Sequence, residues 1–237
     1  MPSSTQRPLR EDLRRLARLV VVTGRRLVRP PSARAWVVPG CAALAAGLAY
    51  AWKWPVADFF MGHGGRVAGW VALAARAGAS GVTILALGLA ALVAGRARRR
   101  DALVDCALVL GAAGAWCWVL MRTGQLVLAE QRPAGGGEMR WFALDGHGVS
   151  GHAAVAALML APVRDVLARR LAMPVRRLVV AALVAWVAVV AWSRMWSGMH
   201  FLWNVVLGTA IGLVTGEAAV GAWRQLESDD EPRRRSG

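Results

Sequence analysis

Apolar residues in this chain come in blocks, not in alternation. Six runs are visible, at 35–52, 69–95, 102–121, 150–167, 178–192 and 201–223, separated by stretches carrying arginine, glycine or proline. Runs of about twenty apolar residues match the ~30 Å of bilayer hydrocarbon, where the backbone must satisfy its own hydrogen bonds and a helix does so. The pattern predicts an all-α, polytopic membrane helical bundle of about six transmembrane helices. The second run contains Arg76, so its first turns are expected at the interface and the true span from Ala77. The third run ends at Arg122, and the longest polar connection, 123–149, follows with Gly135-Gly136-Gly137 inside it.

Charge divides the chain further. Residues 1–34 form a basic N-terminal arm with nine arginines, 35–223 the membrane domain, and 224–237 a charged tail. Residues 11–28 of the arm read either as an amphipathic basic helix on anionic headgroups or as a partly disordered, solvated arm. The arginine-crowded start, with only 19–22 apolar, is not the pattern of a signal peptide. With six spans both termini share one side. That side collects 22 Lys and Arg (arm 9, 96–100 4, 164–177 5, tail 4), against 7 on the other. The positive-inside rule makes the richer side cytoplasmic. The net charge of +15 is then a topology signal with anionic headgroups as its partners, and nucleic acid becomes unnecessary. Trp36, Trp52, Trp54, Trp192, Trp196 and Trp223 near span ends fit an aromatic belt. Cys41, Cys106 and Cys117 lie within apolar runs without paired spacing and read as small buried residues.

Three short stretches fall on the extracytoplasmic side: Gln125-x6-Arg132-Pro133, Ser150-Gly151-His152, and Ser193-Arg194-x5-His200-x3-Asn204. Ionisable side chains at span ends are costly without partners or a task. Two histidines and two arginines there suggest an anion site, since the guanidinium fork suits phosphate oxygens. Ser150-Gly151-His152 opens the fourth helix, whose free N–H groups and dipole can face an anion. His200 opens the sixth helix, and Asn204 one turn on is placed to reach its imidazole. His63 and His147 read as loop residues.

These residues resemble the type 2 phosphatidic acid phosphatase superfamily, membrane-bound lipid phosphatase branch. Its pattern is Lys-x6-Arg-Pro, then Pro-Ser-Gly-His, then Ser-Arg-x5-His-x3-Asp. Spacing within each block agrees, and so do block order and the six-span bundle; the resemblance is close over about 100–215. It implies an integral membrane phosphatase acting on a lipid phosphate or diphosphate at the outer face, through a phosphohistidine. His200 would be the nucleophile and His152 the general acid. Arg132, Arg194, Ser150 and the Gly151 N–H would hold the equatorial oxygens. Neither metal nor cofactor is implied, and no familiar metal-ligand spacing appears.

Three positions depart from the pattern. Val149 replaces a proline, which is expected to matter little. Gln125 replaces the lysine, and Arg122, three residues earlier on the same helical face, is the expected substitute in phosphate binding. Asn204 replaces the carboxylate that orients the nucleophilic histidine; in serine proteases the comparable change costs roughly 10⁴ in rate. Asp145 and Glu138 are candidates to supply that carboxylate. The alternative to an enzyme is therefore a catalytically attenuated or inactive lipid-phosphate binding or transport protein of the same fold, and a purely structural bundle is the third option.

Overall fold

A computed structural model describes residues 8–29, 32, 37–61, 65–98, 100–135, 139–141 and 147–235. The helices are α1 Leu9–Val28, α2 Val37–Ala51, α3 Lys53–Phe60, α4 Gly65–Gly78, α5 Gly81–Ala97, α6 Asp101–Val127, α7 Gly151–Leu158, α8 Leu160–Pro162, α9 Met173–Trp196 and α10 Leu202–Arg235. The expected all-α polytopic fold is what forms. Four segments are long and apolar enough to cross a membrane: α6, 151–170, α9 and 202–230. The second expected span is the pair α4 and α5, bent by 55°. The first is α2, whose 15 residues reach only ~22 Å at ~1.5 Å each. Its single exposed cysteine, Cys41, faces outward instead of into the core.

The second run breaks at Ala79-Ser80, not at Arg76. Ser80 Oγ accepts the Thr83 N–H at 3.1 Å and starts α5 as an N-cap. Gly78 lies against Trp186, whose ring atoms would be 2.7 Å from an added Cβ. A short antiparallel hairpin, β1 Leu128–Glu130 and β2 Met139–Trp141, sits in the long polar connection 123–149, with Ala129 opposite Arg140.

The core forms where α10 meets α6 and α7. Gly208, Gly212 and Gly216 make a stripe four residues apart along α10. A Cβ there would stand 2.3, 2.1 and 2.7 Å from the carbonyl oxygens of Ser150, Ala154 and Leu158. Small residues at this spacing let helix backbones touch within a membrane. Trp223, expected in an interfacial belt, is instead buried in this core with the Arg169 guanidinium 4.5 Å above its ring.

The amphipathic helix expected in the N-terminal arm forms as α1, but its inner face rests on protein. Arg15 pairs with Asp105 at 3.3 Å, both buried, and Arg96 pairs with Asp12. Trp116 Nε1 donates to the Val20 carbonyl at 2.7 Å. Beyond Pro162 the chain passes through a π turn, Val163–Leu167, that turns Asp165 inward. Its carboxylate takes Arg164 in a two-pronged contact (2.9 and 2.6 Å), Arg176 at 3.4 Å and Arg224 at 3.2 Å. Arg18 of α1 meets Asp230 near the end of α10. The two terminal helices and these arginine clusters therefore share one end of the bundle.

The close α7–α10 approach makes a direct prediction. Gly212→Val should lower the melting temperature of the detergent-purified protein by an amount equivalent to about 1–3 kcal/mol of overpacking, while Gly114→Ala, where an added Cβ meets nothing within 4 Å, should leave it nearly unchanged.

Candidate active site

The three motifs are tied together by backbone. Residues 147–150 thread between α6 and α10: the His147 N–H donates to the Glu130 carbonyl (3.1 Å), and the Ser150 N–H to the Asn204 carbonyl (3.1 Å). Gly148 is required here, because a Cβ would fall 1.7 Å from the Leu128 carbonyl oxygen. Gln125 Nε2 donates to the Val149 carbonyl at 2.9 Å, and its Oε1 accepts from Arg122 Nη1 at 3.2 Å. At Gln125 the amide thus latches α6 to the 147–150 segment and holds Arg122.

α9 ends in a turn that presents Arg194 and His200 together. Gly198 takes φ +60°, the left-handed conformation glycine tolerates at a helix C-terminus. The N–H groups of Met199 and His200 both donate to the Arg194 carbonyl, at 3.1 and 3.2 Å. The Ala134 N–H donates to the Gly198 carbonyl at 3.3 Å, and Arg132 Nη1 meets Met199 Sδ at 3.4 Å. The Arg132-Pro133 turn is thereby fastened to the His200 turn.

Arg122, Gln125, Arg132, Gly151, His152, Arg194 and His200 line one end of a single cavity of about 860 Å³. Ser150 and Asn204 are buried beneath that wall and do not line it. Among the described residues, Arg132 Nε, Ser150 Oγ, Arg194 Nε and His200 Nδ1 are buried without a hydrogen-bond partner. No aspartate or glutamate is among the described lining residues. Away from this end the wall is apolar, formed by α5, α6 and α7 down to Leu16 of α1.

One expectation needs correction. Asn204 does not hold the His200 imidazole; its Oδ1 accepts the Phe201 N–H at 2.9 Å. The reason is helical geometry. Asn204 is the third residue of α10, and a side chain there reaches back to the N-terminal N–H of its own helix. Asp145, Glu138 and His63 lie outside the described residues.

Two cavity residues escaped the sequence reading. His147, taken for a loop residue, lines the cavity because Gly148 and the Glu130 contact pin its backbone. Arg76, taken only as an interruption, lines it too, since the bend after Gly78 carries α4 over the site. A lone arginine inside an apolar run is itself a signal of function.

Burial, then the charges of Arg194, His152, Arg132 and His147, push His200 down from its ordinary value to about 3. The imidazole is therefore neutral at pH 7, with a lone pair available. An unfolded histidine titrates near 6.5, so the unfolded chain binds the extra proton between pH 6.5 and 3, and this group costs stability as pH falls through that window. In a ¹⁵N-histidine NMR titration of the unliganded protein, His200 should stay unprotonated from pH 8 to about pH 4, and adding phosphate should shift its midpoint upward.

Residues 126–226 match the model of the PAP2 superfamily, the superfamily anticipated from the three motifs. This segment, which carries Arg132, Ser150, His152, Arg194, His200 and Asn204, is similar to the PAP2 superfamily. Comparison with curated proteins and with solved structures gave no match. The match supports a phosphatase-type function in general.

Proposed function

We propose that this protein is an integral membrane phosphatase that hydrolyses a lipid phosphate or diphosphate through a phosphohistidine. The carrying observation is one cavity in which His152, His200, Arg132 and Arg194 gather at one end and the remaining wall is apolar. Such a cavity suits an amphiphile with an anionic head. The arginine-rich end faces the cytoplasm by the positive-inside rule, and the site faces outward.

In this reading neutral His200 attacks phosphorus in line through Nε2. His152, protonated once the anionic phosphate sits against it, gives its proton to the leaving oxygen, then takes one from the incoming water. Arg132, Arg194 and the first-turn N–H groups of α7 stabilise charge on the equatorial oxygens. Gln125 supports this indirectly, by aligning Val149-Ser150 and presenting Arg122. Phosphoryl transfer of this kind rests mostly on positioning and electrostatics.

A second reading is favoured by one contact. With the Asn204 amide engaged by Phe201, His200 Nδ1 lacks an orienting acceptor among the described residues, as a slow enzyme or a lipid-phosphate binding protein would. A carboxylate at 204 could keep the Phe201 contact through one oxygen and offer the other to the imidazole. Phosphate release from a panel of lipid phosphates separates the readings. We expect release by wild type, none by His200→Ala, and a rise on the order of 10²–10⁴ in Asn204→Asp. Binding of the same lipids with no release in either wild type or Asn204→Asp would establish the binding protein instead.

A further inference from the structure

Away from the histidines, another cavity of about 830 Å³ lies where the last turns of α1 meet α6 and α10. Gln225 is in its wall. From Asn204 to Gln225 the continuous helix α10 rises about 31 Å at ~1.5 Å per residue. That distance is one hydrocarbon thickness, ~30 Å. The cavity therefore stands at the level of the other headgroup layer, and none of the three motifs reaches it.

Its wall is cationic. Arg25, Arg26 and Arg29 line it beside the Gln225 amide, and no carboxylate does among the described residues. The two halves of α1 differ in this respect. In the first half Arg15 pairs with Asp105 and Arg18 with Asp230. In the second half, among the described residues, no ion pair or side-chain hydrogen bond engages Arg25, Arg26 or Arg29. The helix dipole favours cations in a last turn, which explains their sign and not their number. Arg25 and Arg29 stand four residues apart on one face and repel each other.

Arg26 is also seated by the packing. Its guanidinium lies on Gly221 of α10, where an added Cβ would stand 2.8 Å from Nη1. Its Nε is buried without a hydrogen-bond partner, so among the described residues the protein answers none of this charge. A guanidinium held in place presents its fork to phosphate oxygens at less cost in lost freedom.

The rest of the wall selects the kind of anion. Trp116 of α6, fixed by its hydrogen bond to the Val20 carbonyl at 2.7 Å, gives the cavity an apolar side. Val21 and Val28 line it while 52% and 73% exposed. A soluble anion would use the arginines and leave these valines in water. A phospholipid uses both, its phosphate on the cations and its hydrocarbon on the valines and the indole. The volume falls within the roughly 300–1,000 Å³ of ligand pockets.

We infer that this cavity binds one anionic phospholipid of the leaflet at the arginine-rich end. Its phosphate is held by Arg25, Arg26 and Arg29, and its glycerol and first methylenes lie on Val21, Val28 and Trp116. The site does not depend on the phosphatase reading. The lipid does for the second half of α1 what Asp105 and Asp230 do for the first, fastening it to α6 and α10.

The test is native mass spectrometry of the full chain in detergent micelles, titrated with phosphatidylglycerol or phosphatidylcholine. Wild type should hold one phosphatidylglycerol at least about tenfold more tightly than phosphatidylcholine, given roughly fivefold per arginine at a membrane surface. Arg25→Gln combined with Arg29→Gln should bring the two lipids to within about twofold of each other, and the corresponding pair of lysine substitutions should keep most of the preference. Arg10→Gln combined with Arg14→Gln removes the same charge from exposed positions of α1 outside the cavity, and Arg132→Gln removes charge at the histidine end. Both should leave the preference within about twofold of wild type. Equal retention of the two lipids by wild type would overturn the site, and so would equal loss in the two double glutamine variants, which is the mark of diffuse attraction. Loss in Arg132→Gln would move the lipid to the histidine cavity and overturn it too. Displacement of the lipid by glycerol 1-phosphate at equal concentration would assign the cavity to a soluble anion instead.

Discussion

A single backbone hydrogen bond, from the Ser150 N–H to the Asn204 carbonyl at 3.1 Å, joins the two histidine motifs, and much of the architecture exists to make it possible. It requires the start of α7 to lie directly on α10, and the glycine stripe at 208, 212 and 216 clears the space. Gly148 and Gly124 permit the same closeness on the α6 side, where a Cβ would meet Leu128 and Val149. The site is therefore a property of helix contact distances as much as of its functional groups. Side chains on three helices converge because their backbones cannot drift apart without leaving buried polar groups unpaired.

The charge distribution follows a complementary logic. At one end arginines meet carboxylates: Asp165 gathers three, Asp105 and Asp12 hold α1 and α5, and Glu227 and Asp230 reach back from α10. At the other end Lys53 is matched by Glu130, which also accepts the Trp203 indole N–H at 2.8 Å. Arg76, Arg122, Arg132 and Arg194 have no carboxylate partner among the described residues. Carboxylates are thus paired with cations outside the cavity and leave those of the cavity available, which in a low-dielectric site strengthens their pull on an anion. Burial and the same field keep His200 neutral, so the positive end that would hold a phosphate would also keep the proposed nucleophile in its reactive form.

Much of this was legible in the sequence because its signals are local. Apolar runs gave the helices, and the fixed spacing of Ser193-Arg194-x5-His200 spans one helix end and one turn. What escaped depended on neighbours distant in sequence. The side chain at Asn204 could reach either an imidazole or a backbone N–H, and only the position of the α10 N-terminus decides between them. Arg76 belongs to the site because of a bend fixed by Ser80 and by Trp186 from another helix. The arm's amphipathicity was visible, but a membrane surface and a groove between α6 and α10 ask for the same apolar face. Trp223 likewise carries no mark separating a belt residue from a core residue.

The central claim is that His200 is a nucleophile, and the most direct measurement is to trap its covalent product. Protein in nanodiscs, mixed with ³²P-labelled long-chain lipid diphosphate and quenched in alkali within milliseconds, should carry label that is stable to base and released by acid, mapping by mass spectrometry to the peptide containing His200 and absent from His200→Ala. Label on any other residue, or phosphate release with no labelled protein at any quench time, would contradict the account.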